Sequence, residues 1–159
     1  MADTPPRPGE IRLPVDPAGR VDAGVTFIGT LHSDWQPGGA PRNLTAARAA
    51  GGGGGKVVLK PDYRAGLLGL EVGRAIWLVL WFDRSRRDLI VQNPRHGNGL
   101  RGTFALRSPA RPNPIAIEAV RITALDQAGG EIGIDVTDAL DGTPVLDIKP
   151  WIEGIDIPV

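Results

Sequence analysis

The apolar residues of this 159-residue chain occur in short runs, and turn-forming residues separate one run from the next. Runs rich in β-branched and aromatic residues are typical of strands. The strands predicted in this way are residues 25–31, 56–60, 76–82, 89–91, 102–106, 115–125, 131–137 and 145–148. Such closely spaced strands predict a mainly β protein, a compact β-barrel of short, mostly antiparallel strands with one or two short helical segments.

The most hydrophobic run, Ile76–Phe82, is predicted to be a central strand. Its large apolar residues from Trp77 to Trp81 are assigned to the core rather than to a cofactor platform. Residues 115–125 and 131–137 are predicted to form a hairpin through a turn at 127–130.

Two stretches are predicted to contain helical turns. Residues 44–50 follow Asn43, which suits an N-cap position. Residues 61–70 begin with proline, and the side chains expected to face inward are those of Leu67, Leu68 and Leu70. Residues 36–55 include five successive glycines and are predicted to be a mobile loop around the first helical stretch.

The length favours one folded domain, which we place at residues 23–159. Residues 1–22 are rich in proline and have no periodicity. They are predicted to be a flexible N-terminal arm, with an extended edge segment as the alternative.

Composition excludes several kinds of chemistry. The chain has no cysteine, so disulfides, thiolate metal sites and cysteine nucleophiles are excluded. It has only His32 and His96, far apart in sequence, so a histidine-rich metal site is excluded and no metal is predicted. No apolar run is long enough to span a bilayer, and the polar start is unlike a signal peptide, so the expected location is cytoplasmic.

Charge is zero overall but uneven along the chain. Seven arginines and one acid, Asp88, lie between Arg84 and Arg111, whereas seven acids and one base, Lys149, lie between Glu131 and Asp156. Either the two segments are solvated and pair with each other, or the arginines form an anion-binding surface. The sequence alone leaves both interpretations open.

Two segments are unusual enough to suggest a ligand site. Residues 107–115 (RSPARPNPI) contain three prolines, which stiffen a loop that carries two guanidinium groups and could hold a carboxylate. Residues 138–151 contain three aspartates around a turn at 141–144. Asp141 and Thr143 are expected to bond the local backbone, and Asp147 and Lys149 could be a surface pair.

Together these segments resemble the TrmO/YaeB/TsaA-like family. The resemblance rests on residues 28–33 (IGTLHS), 69–71 (GLE) leading into Ile76 and Trp77, 107–115, and 141–150 (DGTPVLDIKP), in family order. It covers roughly residues 25–151 and implies a β-barrel that binds S-adenosylmethionine near the interface of a homodimer. It also implies methylation of N6 of threonylcarbamoyladenosine in tRNA.

The resemblance also implies particular site residues. We expect Arg107 to bind the methionine carboxylate of the cofactor. Ile117 is expected to supply an apolar wall, and Asp138 a carboxylate, for its adenine and ribose. An N6 amine must lose a proton when it is methylated, and the candidates for the base that takes it are Asp138, Asp141 and His32. The complete set expected to bind the cofactor is Ser33, Asp34, Trp35, Arg74, Ala75, Arg107, Ile117, Asp135, Val136, Thr137 and Asp138, and the set expected to bind substrate is Arg111, Asn113 and Lys149.

Departures from the family pattern keep alternative functions open. A histidine that is usual before the Trp-rich strand is absent, because residues 73–75 read Gly-Arg-Ala, and Asp34 stands where proline is common. The first hypothesis is a tRNA N6-methyltransferase. The alternatives are a methyltransferase for a small molecule, a non-catalytic S-adenosylmethionine-binding protein and, last, a structural barrel without a ligand.

Overall fold

The computed structural model describes residues 5–20, 22–51, 53–95, 97 and 99–158. The chain divides into two compact units. One, here called the barrel unit, comprises residues 26–81 and 117–159, and the other, the sheet unit, comprises residues 1–25 and 82–116.

The barrel unit is built on six strands that close into a barrel, as the strand pattern predicts. Neighbouring strands are hydrogen-bonded in the order β2-β3-β8-β7-β4-β9. The registers are antiparallel, for example Leu31 with Val57 and Val57 with Ile132. The strands are β2 (Gly29–Ser33), β3 (Gly55–Leu59), β4 (Ala75–Trp81), β7 (Ile115–Asp126, in this unit from residue 117), β8 (Glu131–Ile134) and β9 (Thr143–Pro150).

Strand β4 shows how the core is filled. Ile76, Leu78 and Leu80 alternate along it and are fully buried, because successive side chains of a strand point to opposite faces. Trp77 and Trp81 lie on the other face and are only partly buried. The prediction that the whole run from Trp77 to Trp81 belongs to the core was therefore wrong for alternate residues.

The helical segments of the barrel unit are short. Helix α1 (Leu44–Ala49) begins where Asn43 Oδ1 accepts a hydrogen bond from the backbone N–H of Ala46 at 2.8 Å, as predicted for an N-cap. A 3₁₀ helix spans Pro61–Leu67, and α2 spans Glu153–Asp156. In the described part of the chain, no helix has the length and apolar character required to cross a membrane.

The sheet unit contains three short strands in the order β1-β5-β6, which are β1 (Ile11–Arg12), β5 (Leu89–Gln92) and β6 (Arg101–Gly102). Within the predicted N-terminal arm, Ile11 and Arg12 thus form an edge strand, which matches the alternative of an extended edge segment. Of the strand predicted at 102–106, only Gly102 lies in a strand, β6. A 3₁₀ turn follows at Thr103–Ala105, where the buried hydroxyl of Thr103 donates to Leu89 O and accepts from Gln92.

Several arginines of the sheet unit serve its own structure. Arg86 and Arg12 both pair with Asp88, at 2.8 Å and 3.0 Å. Arg87 donates to the carbonyl oxygen of Pro112 at 2.5 Å and to Oδ1 of Asn113 at 3.2 Å. These contacts hold the proline-rich loop against the strand segment that precedes β5.

Two neighbouring leucines give a matched test of this packing. Leu67 is 1% exposed and Leu68 is 85% exposed, so only the first of the two meets the inward orientation predicted for both. We expect Leu67→Ala to lower the free energy of unfolding by about 2–5 kcal/mol, because it opens a cavity in the barrel unit. Leu68→Ala should change it by less than about 0.5 kcal/mol. Urea denaturation measures both, and equal losses would contradict the assigned core.

Candidate functional site

The predicted cofactor residues near the start and the end of the chain meet at one edge of the barrel. Ser33 ends β2, and its hydroxyl donates to the carbonyl oxygen of Ala139 at 2.8 Å. The indole Nε1 of Trp35 donates to the carbonyl oxygen of Thr137 at 2.8 Å. The segment after β8, residues 135–142, is thereby fastened to the end of β2. We call the edge formed by Ser33, Trp35 and residues 135–142 the rim.

Asp141 anchors the turn that leads into β9. Its Oδ1 accepts a hydrogen bond from the backbone N–H of Ser33 at 3.2 Å and lies 3.2 Å from Nδ1 of His32. Its own backbone N–H donates to the carbonyl oxygen of Trp35 at 2.8 Å. The hydrogen bond from the Ser33 N–H is the largest cause of the lowered pKa of Asp141; desolvation opposes it, and the His32 ring lowers the pKa further. The turn interpretation extends to Thr143, whose hydroxyl donates to Leu140 O at 2.6 Å.

Glu118 is a rim residue that sequence reasoning missed. It lies on the inward face of β7 with Val120 and Ile122, and only 2% of it is exposed. Its Oε1 accepts hydrogen bonds from the Thr137 hydroxyl at 3.1 Å and from the backbone N–H of Asp138 at 3.3 Å. The available signal was alternation, because a carboxylate at an inward position of a strand interrupts an apolar face.

Burial is the main cause of the raised pKa of Glu118. Desolvation, followed by the hydrogen bond and the negative charge of the neighbouring Asp138 side chain, raises the pKa of Glu118 to about 8. The hydrogen bonds from Thr137 and from the Asp138 backbone act in the opposite direction but are weaker. Glu118 is therefore largely protonated at neutral pH, whereas an ordinary glutamate is ionised.

The glycine run contributes to the rim by close approach. The carbonyl oxygen of Gly53 accepts a hydrogen bond from the backbone N–H of Thr137 at 2.5 Å. Gly53 has a φ of +107°, and a Cβ added there would lie 3.1 Å from the ring of Trp35. A side chain at this position would therefore strain the backbone and press on the indole.

Arg121 of β7 joins two further predicted segments. Its backbone N–H donates to Oδ1 of Asp135 at 2.7 Å, and its guanidinium donates to the carbonyl oxygen of Gly73. Gly73 precedes Arg74, whose side chain lines a groove of about 460 Å³ together with Tyr63 and Asp147. Asp135 and the Gly73–Ala75 segment are thus linked through one arginine.

The other predicted residues are distributed as follows. Asp34 and Ile117 are exposed, Val136 is buried and Ala75 is half-buried in the barrel unit. Lys149 forms an ion pair with Asp147 at 2.7 Å, as the alternative of a surface pair anticipated. Their predicted ligand roles stay predictions.

Three predicted residues belong to the sheet unit: Arg107, Arg111 and Asn113. The guanidinium of Arg111 donates to the carbonyl oxygen of Leu106 at 3.2 Å, and Asn113 accepts from Arg87. These contacts support the rigid loop that the prolines predict. The roles of the three residues toward a carboxylate or a substrate stay predictions.

The rim carries groups that suit a polar organic ligand. It offers the Trp35 indole and the Asp138 carboxyl group. Among the described residues, no group of three or more acidic or histidine side chains is arranged to hold a metal ion. An aromatic surface beside such polar groups suits a nucleoside.

Fold and site together define a class of protein, a closed six-stranded antiparallel β-barrel with a polar and aromatic rim. A family profile described as the tRNA-methyltransferase O N-terminal domain matches residues 30–157. The chain therefore belongs to the family of tRNA-methyltransferase O N-terminal domains, which confirms the resemblance drawn from its motifs.

Two relatives illustrate the similarity in sequence. A probable S-adenosyl-L-methionine-binding protein of Pyrococcus abyssi is 36% identical over 131 residues, covering 82% of this chain and 68% of the relative. A tRNA (adenine(37)-N6)-methyltransferase of Mus musculus is 37% identical over 95 residues, covering 58% of this chain and 22% of the relative.

Solved structures show the same fold. The crystal structure of TrmO from Pseudomonas aeruginosa matches with a TM-score of 0.65 and 31% identity, covering 86% of this chain and 59% of that chain. The chain spans 27% of a curated relative from Archaeoglobus fulgidus with which it shares 39% identity. Activities of such longer proteins are therefore carried to this chain only as a proposal.

The Asp141 turn yields a pH-dependent prediction. The folded pKa of Asp141 is lowered below 3.8, so its contribution to stability is present above that pH and is lost as the pH falls through the lowered pKa. We expect Asp141→Asn to reduce the melting temperature by a few degrees at neutral pH, with a difference that shrinks as the pH falls below 3.8. Asp34→Asn, an exposed neighbour, serves as control. A deficit independent of pH would contradict this role of the Asp141 charge.

Proposed function

We propose that this chain binds S-adenosylmethionine and methylates N6 of an adenosine in tRNA. Family membership supports the proposal, as do relatives named S-adenosyl-L-methionine-binding proteins and one named a tRNA (adenine(37)-N6)-methyltransferase. The finer proposal, from the motif resemblance, is that the acceptor is threonylcarbamoyladenosine. Homodimer formation and a cytoplasmic location remain predictions from the sequence.

The observation that carries the proposal is the convergence at the rim. Ser33 and Trp35, expected to bind the cofactor, hydrogen-bond the backbone of residues 137–139, which contain two further expected residues. The residues present fit a nucleoside. The Trp35 ring offers an apolar surface, and Asp138 offers an acceptor for hydroxyl or amino groups.

The chemistry asks little of the protein beyond binding and alignment. When bound, S-adenosylmethionine supplies a methyl group that is already activated on the sulfonium sulfur. No covalent nucleophile is therefore needed, which is compatible with a chain that has no cysteine. In our proposal Asp138 holds the nucleoside half of the cofactor, and the rim holds the acceptor nitrogen within about 3–3.5 Å of the methyl group. His32 and Asp141 bond each other, so we assign the proton that leaves the acceptor to solvent.

One observation favours a second candidate, a protein that binds S-adenosylmethionine without transferring its methyl group. Of the three candidates for a base, His32 and Asp141 contact each other, and Asp141 also accepts from the backbone N–H of Ser33. The remaining candidate, Asp138, adjoins Glu118. Binding without transfer would then be the outcome of the following assay.

The assay uses methyl-labelled S-adenosylmethionine, the purified chain, and total tRNA from a strain that lacks its own enzyme. Digestion and identification of the labelled nucleoside give the acceptor. Label on threonylcarbamoyladenosine supports the finer proposal, and label on another adenosine supports only the broader one. Calorimetric binding without any label supports the second candidate, whereas absence of binding overturns both.

Asp138 gives the proposal a quantitative test. We expect Asp138→Asn to weaken S-adenosylmethionine binding roughly tenfold, equivalent to about 1.4 kcal/mol, because an ionised hydrogen-bond acceptor becomes neutral. Asp62→Asn, which changes an exposed acid on the 3₁₀ helix, should leave affinity unchanged. Isothermal titration calorimetry measures both variants. Equal affinities for wild type and Asp138→Asn would remove Asp138 from the site.

A further inference from the structure

The two oxygens of the buried Glu118 carboxyl group have different environments. Oε1 accepts hydrogen bonds from the Thr137 hydroxyl and the Asp138 backbone, at 3.1 Å and 3.3 Å. Oε2 is buried and no donor among the residues that the structure describes reaches it, so a bond between it and the neighbouring Asp138 carboxyl group requires a proton on one of the two acids. A buried carboxylate oxygen without a donor is costly, so a proton on this oxygen is favoured.

The neighbouring Asp138 side chain can satisfy that oxygen only if a proton lies between the two acids. Two ionised carboxylates repel each other, whereas a protonated carboxyl group donates to a carboxylate in a short, strong hydrogen bond. Burial favours protonation of Glu118, and the raised pKa agrees with this assignment. Asp138 is more exposed than Glu118, so of the two acids it bears a charge at the lower cost.

We propose that Glu118 is a positioning residue, which carries a proton on Oε2, donates it in a hydrogen bond to Asp138, and so orients the Asp138 carboxylate toward the nucleoside half of the cofactor. The orientation of Asp138 toward a ligand rests on the proposed function, whereas the proton on Glu118 does not. Loss of the proton would place two negative charges together and turn Asp138 away from the ligand.

The other charged groups around Glu118 have partners of their own. Arg48 on α1 donates to the carbonyl oxygen of Ala119 at 3.2 Å. Asp135 accepts from the backbone of Arg121, and Asp141 from that of Ser33. Asp138 is the charged group whose side chain, through a hydrogen bond and through its negative charge, raises the pKa of Glu118. The pH dependence of the pair therefore reports chiefly on these two acids.

The proton is observed directly by carbon NMR of the wild-type protein with labelled glutamate side chains. The chain has five glutamates, so their carboxyl signals are few enough to resolve. We expect one signal to titrate near pH 8 and to be absent from Glu118→Gln. If every glutamate signal titrates below about pH 6, the inference is overturned, whether or not the protein binds S-adenosylmethionine.

The orienting role is tested by calorimetry with 5′-methylthioadenosine, the uncharged nucleoside half of the cofactor. Because the probe is neutral, its affinity contains no contribution from attraction between an ionised Glu118 and the sulfonium of the cofactor. If only the protonated form binds, wild-type affinity should fall about tenfold between pH 7 and pH 9, given a pKa of about 8. Glu118→Gln should bind like wild type at pH 7 and keep that affinity at pH 9, because its amide donates at both.

Each outcome separates the inference from the proposed function. If S-adenosylmethionine binds but both proteins show the same pH profile for the nucleoside, the orienting role fails while the proposed function stands. If S-adenosylmethionine binds and the nucleoside alone does not, the assigned contact of Asp138 is wrong. If neither ligand binds wild type, the proposed function fails, and the NMR titration still decides whether Glu118 holds the proton. Should Glu118→Gln not fold, the wild-type titration and pH profile remain sufficient.

Discussion

The rim depends on how the backbone of residues 135–142 finds hydrogen-bond partners after β8 has ended. A backbone group that leaves a sheet and stays away from water must be paired by other means. The backbone of residues 137–139 is hydrogen-bonded by four such partners, which are the Gly53 carbonyl, the Trp35 indole, the Glu118 carboxyl group and the Ser33 hydroxyl. Side chains far apart in sequence are consequently held in one place before any ligand arrives.

This arrangement also explains why the acidic character of the rim is tolerable. Glu118 accepts two hydrogen bonds that shape the segment, and its burial favours the neutral form, which removes one negative charge from the rim. Asp141 shows the opposite behaviour, since backbone and histidine contacts at an exposed turn favour its ionised form. Two carboxyl groups on one rim are thus driven toward different protonation states by their surroundings.

Much of the fold could be predicted because strand periodicity and turn residues are local signals. The predicted barrel, the hairpin of β7 and β8, and the Asn43 cap all appear in the structure. Prediction failed where tertiary packing decides. The burial of Leu67 but not Leu68 depends on how a 3₁₀ turn meets the barrel, and Trp77 and Trp81 follow alternation rather than hydrophobicity. The division into two units gave no signal in composition.

For the site, long motifs and family order indicated Ser33, Trp35 and Thr137, and the structure brings these three together. Glu118 escaped because no motif highlights it, and its importance comes from burial beside Asp138, which only a three-dimensional structure shows. Conversely, the arginine-rich segment suggested an anion surface, yet Arg86 pairs with Asp88 and Arg87 supports the loop backbone. A count of charges gives no information about which charges are already engaged.

The glycine run illustrates how little a repetitive stretch says about the tolerance of each position. Protein engineers commonly choose such a stretch for splicing in a tag or a fluorescent label, since glycines usually mark flexible linkers. In this chain Gly53 supplies a carbonyl to Thr137 and lies against the Trp35 ring, and Gly55 already belongs to β3. An insertion between them would separate Gly53 from β3 and withdraw a support from the rim, so the apparent spacer is part of the framework.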